Sequence, residues 1–86
     1  MSANAYVLLT VEPARTGEVV DRLRSISGAV VQEVLGPYDV IVELTSDTPV
    51  DITSTVRSQI RDIPGVNSIV TCTFVDGIFG DSAGGE

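Results

Sequence analysis

The side chains that could do chemistry in this sequence are few, and most of them are carboxylates. Glu12, Glu33, Asp39 and Glu43 could act as acids or bases if the fold desolvated them together. Their spacing does not require this, because solvent-facing positions on strands explain Glu33 and Glu43. The sequence contains no histidine, the residue that most often serves as a general base or metal ligand. We therefore predict no catalytic residue, no metal site and no cofactor, and hence no enzyme.

Other motifs that carry chemistry are missing as well. There is no Cys-x-x-Cys pair, no glycine-rich phosphate loop, and no aromatic pair on central strands that would stack RNA bases. The single cysteine, Cys72, cannot form an intramolecular disulfide, and we expect it to be a buried, inert thiol. Arg57 and Arg61 stand one helical turn apart on the polar side of a predicted helix, where we expect them to be solvated.

The charge of the chain narrows the choice of partners. Twelve acidic residues stand against five arginines, with no lysine, so the formal net charge is −7. Such a balance disfavours contact with DNA phosphates or with an anionic membrane. No apolar stretch reaches the roughly 20 residues of a membrane span, and no basic segment leads into an apolar signal core at the amino terminus. We therefore expect a cytoplasmic protein that contacts neither nucleic acid nor membrane directly.

The elements that position these residues follow from the spacing of apolar side chains. Alternating or β-branched runs predict strands, and apolar residues three and four apart predict helices. Thr16 and Thr48 are the expected N-caps, and Pro49 fits the first position of a helix. The predicted elements are a strand at 5–11, a helix from 16 that ends at Gly28, a hairpin with strands at 29–35 and 40–45, a helix from 49 that ends at Pro64-Gly65, and a strand at 66–75.

An internal repeat fixes the arrangement of these elements. Leu23–Gly28 matches Ile60–Gly65 at a constant offset, so each half of the chain reads as strand, helix, glycine stop and strand. Two βαβ halves with right-handed crossovers form a four-stranded antiparallel sheet with both helices on one face. The sequence therefore predicts an α+β, ferredoxin-like βαββαβ sandwich.

One face of this sheet has no helix to cover it. The first strand is apolar on both faces, and we expect Ile69 and Val75 of the last strand on the open face as well. The composition is 43% hydrophobic, which is more than a small monomer can easily bury. We predict dimerisation through the sheet, within a domain spanning residues 1–76 that is followed by a flexible acidic tail at 77–86.

The order of these features resembles a known family. A glycine-x-x-Asp turn at Gly36-Pro37-Tyr38-Asp39 follows the opening strand Ala5–Val11, and a helix ends at Ile63-Pro64-Gly65-Val66 before the strand Val70–Val75. From residue 4 to about 76, the chain resembles the effector-binding domain of the Lrp/AsnC regulators. The resemblance implies homodimers that assemble into octamers or similar rings, a small-molecule effector that is typically an amino acid, and a role in transcriptional regulation. Family members usually carry an amino-terminal helix-turn-helix domain, so we expect a stand-alone form without a DNA-binding domain.

The resemblance also implies where the effector binds. It puts Gly36, Pro37, Tyr38 and Asp39 at a pocket between neighbouring dimers. A tight turn beside glycine can direct N–H groups at a carboxylate, and Asp39 supplies an anion for an ammonium group. Thr71 and Thr73 share one face of their strand and could add hydroxyl contacts, although threonines in a sheet are more often simply β formers. The predicted effector-binding residues are Gly36, Pro37, Tyr38, Asp39, Thr71 and Thr73.

Other functions share this architecture. An adaptor would use the open sheet face to pair with the same domain of full-length Lrp/AsnC-type regulators. A small enzyme of the dimeric α+β-barrel type would need buried polar side chains or a cofactor, and the lack of histidine disfavours it. An amino-acid-sensing domain of the ACT type would share both the fold and the ligand class with the effector module.

Overall fold

The strands and helices follow one another in the order β-α-β-β-α-β that the repeat predicts. The computed structural model describes residues 3–74, and the predicted tail at 77–86 and Val75 lie outside them. The elements are β1 (Ala3–Val11), a 3₁₀ turn (Pro13–Arg15), α1 (Thr16–Arg24), β2 (Ala29–Glu33), β3 (Val40–Ser46), α2 (Pro49–Thr55) with a π-helical turn (Val56–Ile60), and β4 (Val66–Thr73). The predicted ferredoxin-like α+β fold is confirmed. Within residues 3–74, no helix has the length and apolarity needed to cross a membrane.

The sheet is antiparallel, and β1 lies near its centre. The strand order is β2-β3-β1-β4. Leu9 of β1 is paired with Val40 of β3 on one side and with Ile69 of β4 on the other. The edge strands are therefore β2 and β4, and the hairpin between β2 and β3 lies on the opposite side of β1 from β4.

The hydrophobic core lies between the sheet and the two helices. Alternate residues of the two central strands point into it, because successive side chains of a strand face opposite ways. The fully buried strand residues are Ala5, Val7, Leu9, Val40, Val42 and Leu44. The apolar residues of the helical segments, which lie three and four apart, also reach the core: Val19, Val20, Leu23, Ile26, Ile52, Ile60 and Ile63 are buried, and Val56 is half-buried.

One of the two predicted N-caps is confirmed. The Thr48 hydroxyl accepts a hydrogen bond from the Asp51 N–H at 3.1 Å, and Pro49 occupies the first helical position. Thr16, by contrast, is not a cap. The 3₁₀ turn directly precedes α1, so the chain is already helical at Thr16. The Thr16 hydroxyl donates a hydrogen bond to the Pro13 carbonyl at 3.2 Å.

A β-bulge reverses the predicted faces of β4. Thr10 is paired with Ser68 but Val11 with Val66, so β4 carries one extra residue at this point. As a result Val66 and Ile69, three residues apart, both pack against the core. The prediction that Ile69 lies on the open face is therefore wrong.

The residues of β4 that do reach the open face are Val70 and Phe74, which are 42% and 39% exposed. Apolar residues occur at both odd-numbered and even-numbered positions of β4. The alternation of apolar and polar residues therefore could not show which side of this strand faces the core.

The two glycines of the repeat are required by the backbone. Gly28 has φ 84° and Gly65 has φ 103°, values that residues with a Cβ rarely adopt. A Cβ built on Gly28 would collide with the Thr45 carbonyl oxygen. The Thr45 N–H also donates to the Gly28 carbonyl at 3.0 Å, so this glycine lies where β2 begins to pair with β3.

We expect Gly28→Ala to lower the free energy of unfolding by about 1–3 kcal/mol, because it combines a strained φ with that collision. Gly17→Ala is the matched control: a Cβ there would meet nothing within 4 Å, so we expect a gain of about 0.4–1 kcal/mol. Urea denaturation followed by circular dichroism measures both changes. Equal stability of the two variants would contradict the described approach of Gly28 to β3.

Candidate functional site

The loop between β2 and β3 is anchored by Asp39. The Asp39 N–H donates to the Leu9 carbonyl at 2.8 Å, and its carboxylate Oδ2 accepts from the Val11 N–H at 2.8 Å. The Asp39 carbonyl accepts from the Val34 N–H at 3.0 Å, which closes the loop. Asp39 thus ties the hairpin to the end of β1. Its carboxylate, predicted to bind an ammonium group, already has a structural partner at Oδ2, and Oδ1 makes no hydrogen bond with another side chain or backbone group of the described residues.

The tip of this loop points into solvent. Gly36 and Pro37 are exposed, and Tyr38 is half-buried. Leu35 is fully exposed, with a relative accessible area of 104%. An exposed leucine beside a polar turn is a surface that another molecule can cover.

Thr71 and Thr73 belong to a different part of the molecule. They are paired with Val7 and Ala5 of β1, whose side chains are buried beneath the helices, so both threonines point to the helical side of the sheet. The prediction that they share a face is confirmed. Because β1 separates β4 from the β2–β3 hairpin, one chain does not bring them together with Gly36–Asp39, and a site that used all six residues would need two chains.

A cleft that the sequence did not reveal lies between α2 and β4. It has a volume of about 300 Å³ and is lined by Thr53, Val56, Arg57, Arg61, Ile69 and Thr71. Thr71 is the only one of these six residues that was predicted as a site residue. Arg57 and Arg61 were expected to be solvated; both are exposed, and both line this cleft.

The π-helical turn shapes the helical wall of this cleft. The Arg61 N–H donates to the Val56 carbonyl at 2.9 Å, a bond that spans five residues and widens the turn. Thr53, Arg57 and Arg61 succeed one another at intervals of four residues along this wall. This spacing is the sequence signal for the cleft, but it identifies a site only once β4 is known to lie opposite.

The open face of the sheet forms a second surface. Its apolar side chains include Tyr6 and Phe74, whose rings meet edge to face with centroids 5.1 Å apart. Together with Leu8, Ile41 and Val70, they form what we call the open face. Cys72 also lies on this side, and it is exposed, so the prediction of a buried thiol is wrong for the single chain.

The fold is similar to that of several solved structures. It matches FFRP-DM1 with a TM-score of 0.80 and 24% identity, over 85% of this chain and 99% of that one. It matches the hypothetical protein PHS023 from Pyrococcus horikoshii with a TM-score of 0.78 and 25% identity, over 87% of this chain and 90% of that one. E. coli AsnC gives a TM-score of 0.78 at 12% identity, over 85% of this chain but 50% of AsnC.

Neither models of protein families nor curated protein sequences give a match. The structural likenesses establish the fold, and at that level they confirm the resemblance inferred from the sequence.

Asp39→Ala is expected to lower the free energy of unfolding by about 1–3 kcal/mol, because the part-buried Val11 N–H loses its acceptor. Asp39→Asn keeps a carbonyl oxygen at that place, so we expect a smaller loss. Urea denaturation gives the free energy of unfolding of both variants, and the difference between them separates the contribution of the hydrogen bond from that of the negative charge. If both lose the same free energy, the negative charge rather than the acceptor stabilises the loop.

Proposed function

We propose that this chain is a non-enzymatic regulatory module of the Lrp/AsnC type. In this proposal it assembles through its open face into dimers and then rings, and it binds a small-molecule effector, an amino acid, between neighbouring dimers. Occupancy of the effector site would change the assembly state, and through it the transcription of target genes. The fold shared with AsnC and the two surfaces described above support this reading.

The observation that carries the proposal is the open face. Tyr6 and Phe74 remain 43% and 39% exposed although they belong to, or directly follow, strands of the sheet. Within residues 3–74, the helices cover only the other side. A second copy related by a two-fold axis would place the same patch against itself, which is the usual geometry of a homodimer.

The effector is proposed to bind at the β2–β3 loop. Oδ1 of Asp39 offers an acceptor for an ammonium group, and the exposed backbone around Gly36 offers donors for a carboxylate. Pro37 removes one of those donors. The exposed Leu35 supports a contact between this loop and a neighbouring dimer, because such a contact would cover it.

Binding alone does not make a regulator. The effector must bind one assembly state more tightly than another, and a difference of about 1–3 kcal/mol is typical of allosteric coupling. The net charge of −7 argues against direct contact between this module and DNA. We propose that partner regulators supply the DNA contact, and that the protein acts in the cytoplasm.

An adaptor function is a second candidate. AsnC carries the same fold within half of its chain. A domain of this fold presents its strands in the same arrangement, so in this proposal the open face pairs with it in place of a second copy. Mixing the purified protein with a full-length regulator and measuring the mass of the complexes distinguishes this case from a homo-oligomer.

Leu8→Glu is expected to weaken dimerisation at least about a hundredfold, since a carboxylate buried in an apolar interface without a partner costs several kcal/mol. Leu8 is paired with Ile41, which places it centrally on the open face. Val50→Glu is the control, because Val50 is exposed on α2, on the other side of the sheet. Light scattering after size-exclusion chromatography gives the masses. A dimer that survives Leu8→Glu would remove the open face as the interface.

An amino acid effector should raise the melting temperature of the native protein. At about one hundred times its Kd, it contributes roughly 2.7 kcal/mol, which is several degrees for a domain of this size. A thermal-shift screen of the standard amino acids tests this. We expect the shift to disappear in Asp39→Asn, which keeps the hydrogen-bond acceptor but removes the charge. If no amino acid shifts the wild-type protein, the effector proposal fails and the adaptor function takes its place.

A further inference from the structure

We propose that Glu43 makes the open face selective for a partner of opposite charge. The partner it fits is a sheet of the same fold that carries an arginine or lysine opposite Glu43, in preference to a second copy of this chain. The inference rests on the proposed function in one respect, namely that the open face is an interface.

Glu43 lies among the apolar side chains of the open face. It is exposed, and its neighbours along β3, Val42 and Leu44, are fully buried on the other side of the sheet. It is paired with Tyr6 of β1 on one side and with Val30 of β2 on the other. Tyr6 is 43% exposed and Val30 is 66% exposed, so the carboxylate stands between two accessible apolar side chains.

Polar groups otherwise occupy the ends of this side of the sheet. At one end the Thr45 hydroxyl donates to Asn4 Oδ1 at 2.8 Å, and at the other the hydroxyl oxygens of Thr10 and Ser68 are 2.6 Å apart. Between these ends, the two inner strands contribute Tyr6, Leu8, Ile41 and Glu43. Interfaces commonly have a polar rim and a centre depleted of charged residues. Glu43 departs from that pattern, because it is a charge at the centre.

A second copy of this chain brings no cation to that centre. The sequence has five arginines and no lysine, and the arginines lie in or directly beside the helical segments, at Arg15, Arg22, Arg24, Arg57 and Arg61. Within residues 3–74, the ion pairs join Arg15 to Glu12 and Glu18, so none involves Glu43. A homodimer through the open face therefore encloses two carboxylates without a counter-charge from either sheet, which is costly.

Two-fold symmetry also brings these two carboxylates near each other. Residues two apart on one strand are about 6.8 Å apart, and adjacent strands are about 4.8 Å apart, so Glu43 lies about 4 Å from the centre of the four inner residues. A two-fold axis that passes through this centre, parallel to the sheets, leaves the two copies of residue 43 at most about 8 Å apart in that plane. Two glutamates at this separation repel, whereas a basic residue in the partner would attract Glu43.

Glu43→Gln tests the cost of the charge in the homodimer. We expect its dimer dissociation constant to fall about tenfold or more, because the amide has nearly the same size and carries no charge. Glu33→Gln is the matched control: Glu33 is exposed on β2 but is paired with Val40, which faces the core, so it lies on the helical side. This control should stay within about twofold of the wild type. Sedimentation velocity over a range of concentrations gives the constants.

A Glu43→Lys chain serves as the probe for the basic partner. Equal amounts of ¹⁵N-labelled wild type and unlabelled Glu43→Lys are mixed, and native mass spectrometry counts the dimers of intermediate mass. Random pairing makes about half of the dimers mixed; we expect about nine in ten, because both homodimers are repelled and the mixed dimer is attracted. Glu33→Lys should give random pairing with the wild type.

The inference is overturned if Glu43→Gln dimerises no more tightly than the wild type, since the second copy would then already satisfy the carboxylate. Random pairing of the wild type with Glu43→Lys overturns it as well. Leu8→Glu separates these results from failure of the proposed function. A dimer that Leu8→Glu disrupts and that changes at Glu43 leave unaffected keeps the open face as the interface, whereas a dimer that survives Leu8→Glu removes the interface itself.

Discussion

The constraint on which the rest of the structure depends is that β1 is apolar on both faces while α1 and α2, the α-helices of the described residues, cover only one. Ala5, Val7 and Leu9 are fully buried beneath the helices, whereas Tyr6 and Leu8 point the other way. Full burial of a large apolar side chain contributes about 1.5–3 kcal/mol, so covering the remaining exposed fraction contributes roughly 0.5–1 kcal/mol per residue. About ten such side chains in a dimer would contribute a gain comparable to the estimated cost of association, about 4–15 kcal/mol. Association through this face is therefore sensitive to single substitutions.

Asp39 joins this sheet to the loop that the sequence singled out. Because its carboxylate accepts from the Val11 N–H, the position of the loop relative to β1 is fixed by the residue that is also proposed to hold an effector. Removing the side chain would disturb the scaffold and the site together. The amide variant separates the two roles, since it keeps an acceptor for Val11 and loses the charge that an ammonium group would need.

Much of the fold could be predicted from the sequence because the signals are local and repeated. Gly28 and Gly65 end equivalent segments at a constant spacing, and Thr48 with Pro49 marks the start of a helix without reference to the rest of the chain. The facing of β4 could not be predicted in this way. The bulge opposite Thr10 and Val11 changes which side chains of β4 point to the core, and no residue in the sequence indicates that a bulge occurs there.

The cleft between α2 and β4 could not be predicted from the sequence for a different reason. The four-residue spacing of Arg57 and Arg61 shows that they share one side of a helix, but only the strand order shows what lies beside that side. A helix at the margin of the sheet presents such residues to the edge strand instead of to solvent alone. Whether an arginine on an amphipathic helix is solvated or lines a site is thus decided by topology, which the helical pattern does not contain.

β4 contributes side chains to both the cleft and the open face, because its successive side chains point to opposite sides of the sheet. Ile69 and Thr71 face the cleft, and Val70, between them in sequence, lies on the open face. A ligand that contacts both α2 and β4 therefore acts on a strand that also forms part of the dimer surface. If such a ligand binds the dimer more tightly than the monomer, dimerisation must tighten its binding by the same factor, because the two equilibria share one coupling free energy. A ligand with equal affinity for both states would leave the assembly unchanged, however tightly it bound.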